Sequence, residues 1–213
     1  MPIKTILVVG AAGKSGLEVV KEALKRGYKV KALVRTPAKL GDYQNKVEVV
    51  QGDATIYDNV LEAVSGVDAV VSVIGATPRS RPGMQPLATE NIIKSMQEKG
   101  IKRLITMTGA GVRTSGDQPK FMDKLVRATM KLVARKIIND AEDHAEVVKS
   151  SDLDWTVVRV PILTDDIGTG KYNFGKVGDP QMSLKICRAD AALFIIEALD
   201  KPEFYKQMPM VSW

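Results

Sequence analysis

Apolar runs and helical stripes alternate along this chain from its first residues. Ile6-Leu7-Val8-Val9 is a continuous run of β-branched and leucine side chains, the pattern of a strand covered on both faces. Residues 15–26 follow with helical periodicity and stop at Gly27. A second strand is predicted over 29–34, with Val30, Ala32 and Val34 on one side. Strands are predicted again over 47–50, 69–74, 103–107, 155–161 and 208–211. Helices are predicted over 59–64, 86–99 and 189–198, with Gly100 ending the second of these. The stretch 165–178 is glycine-rich and is expected to cover a ligand. Strands separated by helical segments, with glycine at strand ends, predict an α/β fold. The expectation is one Rossmann-type domain over 1–213: a doubly wound parallel sheet with helices on both faces.

The segment 119–138 has a different pattern. Lys120, Lys124, Arg127, Lys131 and Arg135 recur at spacings of three and four, which puts five cations on one helical face. Met122, Val126, Val133 and Ile137 fall on the opposite face. Such a helix is either a solvated outer face or a peripheral surface for an acidic membrane or partner. A second helix is expected from Asn139 or Asp140, carrying Glu142, Asp143 and Glu146 in its first turns. It also carries His144, the only histidine, read either as a proton donor or as a packed side chain.

Composition narrows the classes. At 213 residues the chain suits one core rather than two. No apolar run approaches the roughly 18 residues of a membrane span, and the N-terminal pattern is not that of a signal peptide. Cys187 is the only cysteine, so neither an internal disulfide nor a cysteine metal cluster can form; no metal site is expected. These features point to a cytoplasmic protein. The net charge of +6 suits an anionic ligand but is too diffuse to indicate nucleic acid.

The candidate chemistry gathers at strand ends. Gly10, Gly13 and Gly16, with Ala12, Lys14 and Ser15 between them, join the first strand to the first helix. The first glycine permits a sharp turn, the second lets a pyrophosphate approach the backbone, and the third lets helix and strand pack closely. Unpaired N–H groups of the helix N-terminus attract the phosphate, and Lys14 and Ser15 add a charge and a donor. The second strand ends at Arg35, with Lys39 four residues on, where an acidic residue would have favoured a free ribose. A guanidinium there pairs with a 2′-phosphate, so NADP(H) is preferred over NAD(H). Asp53, followed by Ala54, is placed to accept from the adenine amino group or to close an Asx-turn. Ile74-Gly75-Ala76-Thr77 and Thr108 lie at the ends of the next two strands.

Together VVGAAGKSG (8–16), LVR (33–35), GDA (52–54), VIGA (73–76), ENIIKSMQEKGIKRLITMTG (90–109), SSDLDWTVVRVP (150–161) and RADAA (188–192) resemble the atypical branch of the short-chain dehydrogenase/reductase superfamily. The closest types are the NmrA-like and biliverdin/flavin reductase-like proteins. The resemblance implies an NADP site made of the turn 10–16, Arg35, Asp53 and the loop 74–77, with Thr108 and Pro161 flanking the nicotinamide. Ordinary members protonate an alkoxide with a Tyr-x-x-x-Lys pair on the helix after the fifth strand, beside a serine that here looks like Thr108. That pair is missing from 140–149, and Tyr172 and Lys176 match its spacing only by chance, after the sixth strand. Hydride transfer to a flavin, quinone or tetrapyrrole needs less, because solvent can supply the proton. The expected activity is reduction of a small, flat conjugated acceptor. The alternative is a non-catalytic NADP(H) sensor or assembly factor acting through the basic helix. A sugar-nucleotide epimerase is disfavoured, since only about fifty residues follow Pro161.

Overall fold

The computed structural model describes residues 2–213, apart from the side chains of Val126 and Met130. Its strands are β1 (Thr5–Val9), β2 (Lys29–Val34), β3 (Glu48–Gln51), β4 (Ala69–Ser72), β5 (Arg103–Gly109), β6 (Asp154–Val160), β7 (Ile162–Thr164), β8 (Asn173–Gly175), β9 (Lys185–Cys187) and β10 (Met210–Ser212). Its helices are α1 (Lys14–Lys25), α2 (Tyr57–Val64), α3 (Met84–Glu98), α4 (Phe121–Val133), α5 (Arg135–Lys149) and α6 (Arg188–Glu197). The main sheet runs β3-β2-β1-β4-β5-β6-β10-β8. All pairings are parallel except β10 with β8, so the expected doubly wound sheet carries one antiparallel edge strand. That edge strand comes from the glycine-rich stretch expected only to be a cover, and the small β7–β9 ladder is formed by the segments on either side of it.

Strand order reverses between β1 and β4, which leaves a crevice at their carboxyl ends. Alternate residues of each strand serve two layers. Ile6 and Val8 of β1 join Val19, Val20 and Phe194 under α1 and α6. Leu7 and Val9 join Val60, Ile92, Met96 and Val148 under α2, α3 and α5. Each such side chain stabilises the fold by ~1.5–3 kcal/mol on burial. β2 is buried on both faces: Lys31 is covered too, and its ammonium reaches Ser65 O at 2.8 Å and the Glu48 carboxylate at 2.9 Å. Cys187 is buried at the start of α6, where its Sγ accepts from Asp190 N, and burial pushes its thiol pKa up.

Two corrections concern 119–149. The basic helix ends at Val133, because Ala134 leaves the helical region (φ −135°, ψ 35°). Arg135 therefore opens α5, several residues before the expected start at Asn139 or Asp140. The break lets α5 turn onto α3 and bury Ile138, Asp140, His144, Ala145 and Val148.

Of the cation face of α4, Arg127 is drawn inward, whereas Lys120, Lys124 and Lys131 stay exposed. Arg127 donates to Gly111 O at 2.9 Å and pairs with Glu142, and Lys131 lies 3.6 Å from the same carboxylate. Met122 and Val133 are exposed too, along with Phe121, Leu125 and Leu132. Ile137 is part-buried on α5, and Val126 lies outside the described side chains. A charged side chain turns inward only where something polar waits beneath it; for Arg127 that is Glu142 and the carbonyl of Gly111.

Candidate active site

The turn after β1 is built for close approach. Gly10 has φ +84°, a conformation that disfavours a side chain. A Cβ on Gly16 would lie 2.1 Å from Gly10 O and 2.7 Å from Ala11 Cα, so only glycine fits between helix and strand. Gly13 N donates back to Gly10 O at 3.0 Å, and Leu17 N is bonded to Gly13 O at 2.9 Å. The amides of Lys14, Ser15 and Gly16 in between are the open donors of a first helical turn. Gly13 and Lys14 are exposed and Ala12 and Ser15 half-buried, so this donor array is reachable from outside. The Lys14 side chain goes elsewhere: its ammonium pairs with Asp165 at 2.5 Å.

Arg35 stands exposed just past the end of β2, with Lys39 exposed nearby, and its carbonyl accepts from Gln51 Nε2 at 3.5 Å. Asp53 follows β3. Its Oδ1 accepts from Thr55 N and Thr55 Oγ1, both at 2.9 Å, which is the Asx-turn geometry. Burial pushes the Asp53 carboxyl up, but the Thr55 bonds and the field of Arg35 outweigh it and hold it below the usual range. Buried Ala54 gives its carbonyl to Asn91 Nδ2, tying this corner to α3. Beyond β4, Ile74 O accepts from Gln85 Nε2 at 3.1 Å, and Thr77 is closed onto Ser80. No atom lies within 4 Å of where a Cβ on Gly75 would stand, so the crevice beside it is open. Ala76 is half-buried there.

Thr108 lies near the end of β5, paired in register with Arg159 of β6. It is buried, and its Oγ1 has no hydrogen-bond partner. Pro161, half-buried, follows β6 directly. In the loop after β5, a Cβ on Gly111 would lie 3.7 Å from Ile138 Cδ1. The first turns of α5 thus bring an apolar side chain to this side of the site.

The titratable groups of the region are tied up. His144 is buried deeper along α5, with Nδ1 2.8 Å from Thr89 Oγ1; burial pushes its pKa down to about 4. Thr89 Oγ1 already donates to Gln85 O, so the His144 Nδ1 carries the proton and Nε2 is a bare lone pair. It is the packed histidine of the two readings. Tyr172 bonds to Glu197, and Lys176 lies past the end of β8; the two share no helix.

Several residues that hold the site were not singled out beforehand. Arg159 and Asp117 form a buried two-bond pair, at 2.5 and 3.0 Å. Asp117 also accepts from Thr114 N and Val177 N, so one carboxylate pins the loop after β5 to the sheet. The available signal was an arginine inside the apolar run Trp155–Val160, which burial obliges to be paired. Asp165 bridges Lys14 and Arg188, strapping the loop after β7 across the start of α1. A pocket of about 370 Å³ opens there, lined by Lys14, Leu17, Ile167, Arg188 and Ala189 among others. Arg35, Asp53, Gly75 and Thr108 lie outside it.

An open glycine cradle, free first-turn amides and an orphaned hydroxyl near the end of β5 fit a dinucleotide along the carboxyl edge of the sheet. Fold and cradle define a dinucleotide-binding protein. The chain belongs to the NAD(P)H-binding family, whose model matches residues 10–202. Reductase pytE of Aspergillus terreus is 27% identical over 92% of each chain. A short-chain dehydrogenase/reductase of Veillonella parvula, solved with NADP, superposes with a TM-score of 0.84 at 20% identity, covering 100% of this chain and 95% of that one. ChuY, an anaerobillin reductase of Escherichia coli O157:H7, gives 0.81 at 22% identity, over 98% and 97%.

Proposed function

We propose that the chain is an NADPH-dependent reductase that delivers hydride to a flat, conjugated acceptor such as a flavin, quinone or tetrapyrrole. The observation that carries this reading is the end of β5: a buried, unpartnered Thr108 hydroxyl, with apolar Ile138 rather than a tyrosine–lysine pair on the adjoining helix. The bound cofactor would supply the hydride. The amides of Lys14, Ser15 and Gly16 would hold its pyrophosphate, and Gly10, Ala12, Gly13 and the loop 74–77 would line its path. Arg35 would pair with a 2′-phosphate, and the exposed Lys39 adds charge on the same side. Asp53, with Oδ1 engaged by Thr55, would offer Oδ2 to the adenine amino group, beside Ala54. Thr108 would hydrogen-bond the nicotinamide amide or the acceptor, with Pro161 closing the far side. With no tyrosine–lysine pair on α5, solvent would protonate the reduced acceptor. The reductase names of pytE and ChuY agree with this chemistry.

A second reading, a non-catalytic NADP(H) sensor, is favoured by the outward apolar face of α4. The two separate in one experiment. The protein is titrated with NADPH and NADH by nicotinamide fluorescence, then given FMN, a quinone and biliverdin. The reductase reading expects NADPH to bind about tenfold tighter than NADH, an ion pair's worth of discrimination, and one acceptor to be reduced. Thr108→Ala should lower kcat about tenfold, the loss of one hydrogen bond in the transition state, with little change in NADPH affinity. Tight binding with no reduction of any acceptor favours the sensor. Absence of binding by either nucleotide overturns both.

A further inference from the structure

We propose that the exposed apolar face of α4 docks this protein onto an anionic lipid bilayer. The inference is independent of the reductase reading. Phe121, Met122, Leu125, Leu132 and Val133 fall within one side of the helix. Phe121, Leu132 and Val133 are 77%, 86% and 76% exposed, far beyond the scattered apolar exposure of an ordinary surface. The opposite side is pinned inward by Arg127 on Gly111 O and Glu142, so the helix cannot simply roll over to hide them.

Charge identifies the occupant. Between residues 120 and 136 stand six cations and one acid, Asp123. Lys120, Lys124, Arg135 and Lys136 are exposed and make no ion pair among the described residues. Asp123 is taken up by the amide of Lys120. An apolar ridge flanked by long cationic side chains suits the boundary of a bilayer: the ridge enters the acyl edge and the ammonium groups reach anionic headgroups. A second copy is disfavoured, because two such faces would bring like charges together. A partner helix needs a groove, and the pocket beside Met122 and Leu184 is only about 130 Å³, room for a side chain. A bilayer needs no complementary shape. Leu184 and Ile162 are also exposed, and Ile162 N bonds to Leu184 O, so the apolar surface continues past α4 toward the end of β6.

The test is sedimentation of the full chain with vesicles of phosphatidylcholine containing about one-third phosphatidylserine, against pure phosphatidylcholine. Binding to the anionic vesicles alone is expected, falling severalfold as salt is raised. Phe121→Glu with Leu132→Glu should weaken it at least tenfold, and Lys120→Glu with Lys124→Glu severalfold. All four positions are exposed, and unchanged circular dichroism and melting temperature confirm that the variants fold. No binding to anionic vesicles at low salt overturns the proposal, as does binding that both double variants leave intact. So does a dimer in solution that Phe121→Glu/Leu132→Glu dissociates, which would assign the face to a second copy.

Discussion

α1 and α4 are helices of similar length with similar amphipathic patterns, and the fold uses them in opposite senses. α1 buries Gly16, Val19, Val20 and Ala23 against the sheet, and its charged side stays out, with Lys21 paired to Glu18 and Arg26 to both Glu22 and Glu197. α4 turns Arg127 inward to Glu142 and leaves its apolar side in solvent beside its exposed lysines. The difference lies in what each helix covers. Beneath α1 is an apolar sheet face, and burial of that face orients it. Beneath α4 are a carboxylate and a backbone carbonyl, and an arginine satisfies both. An amphipathic pattern therefore fixes which residues share a side, while the layer below decides which side goes in.

The contrast is broken most severely at Gly16. Gly16→Val would drive a side chain into Gly10 O and Ala11, both rigid backbone. A loss of ~3 kcal/mol or more of stability is expected, together with NADPH binding, by denaturant melts and fluorescence titration. Wild-type affinity in this variant would mean that the close α1–β1 contact does not shape the phosphate cradle.

A middle-sized effect is expected at His144, the polar group buried on the inward side of α5. Its folded pKa of about 4 lies below the unfolded value near 6.5, so the unfolded chain binds the extra proton between those pH values. Stability should fall as pH drops from about 6.5 to about 4, by up to ~3 kcal/mol, and be insensitive to this group above 6.5. His144→Gln should flatten that slope in acid denaturation. An unchanged slope would show that another group causes it.

The smallest effect belongs to the outward face of α4. Leu132→Ser should shift stability by no more than ~0.5 kcal/mol, where Ile105→Ala in the sheet costs about 2–5 kcal/mol. A large loss at Leu132 would show that the face is covered in the isolated protein and sharpen the question of what covers it.

Much of the parallel sheet was legible, because runs such as Ile6–Val9 are too apolar and too short to be anything but buried strands. The glycine turn was legible for the same reason that it works: no other residue fits at Gly16. The β8 edge strand escaped notice, since Asn173-Phe174-Gly175 has no alternation and gains its identity only by pairing with β10. The orientation of α4 was hidden because Glu142 meets Arg127 from a different helix. The Asp117–Arg159 pair joins residues 42 positions apart, and half its signal, a lone buried arginine, stood in the sequence without its partner.

One feature of the α6 start has a practical reach. The only native thiol, Cys187, is buried and its ionisation is suppressed, so thiol-directed reagents find nothing to attack on the folded protein. A single cysteine placed at any exposed position becomes a unique chemical handle without first clearing the background. Placed along α4, it turns burial of that ridge into a rate, the speed at which a label arrives, which can be followed residue by residue.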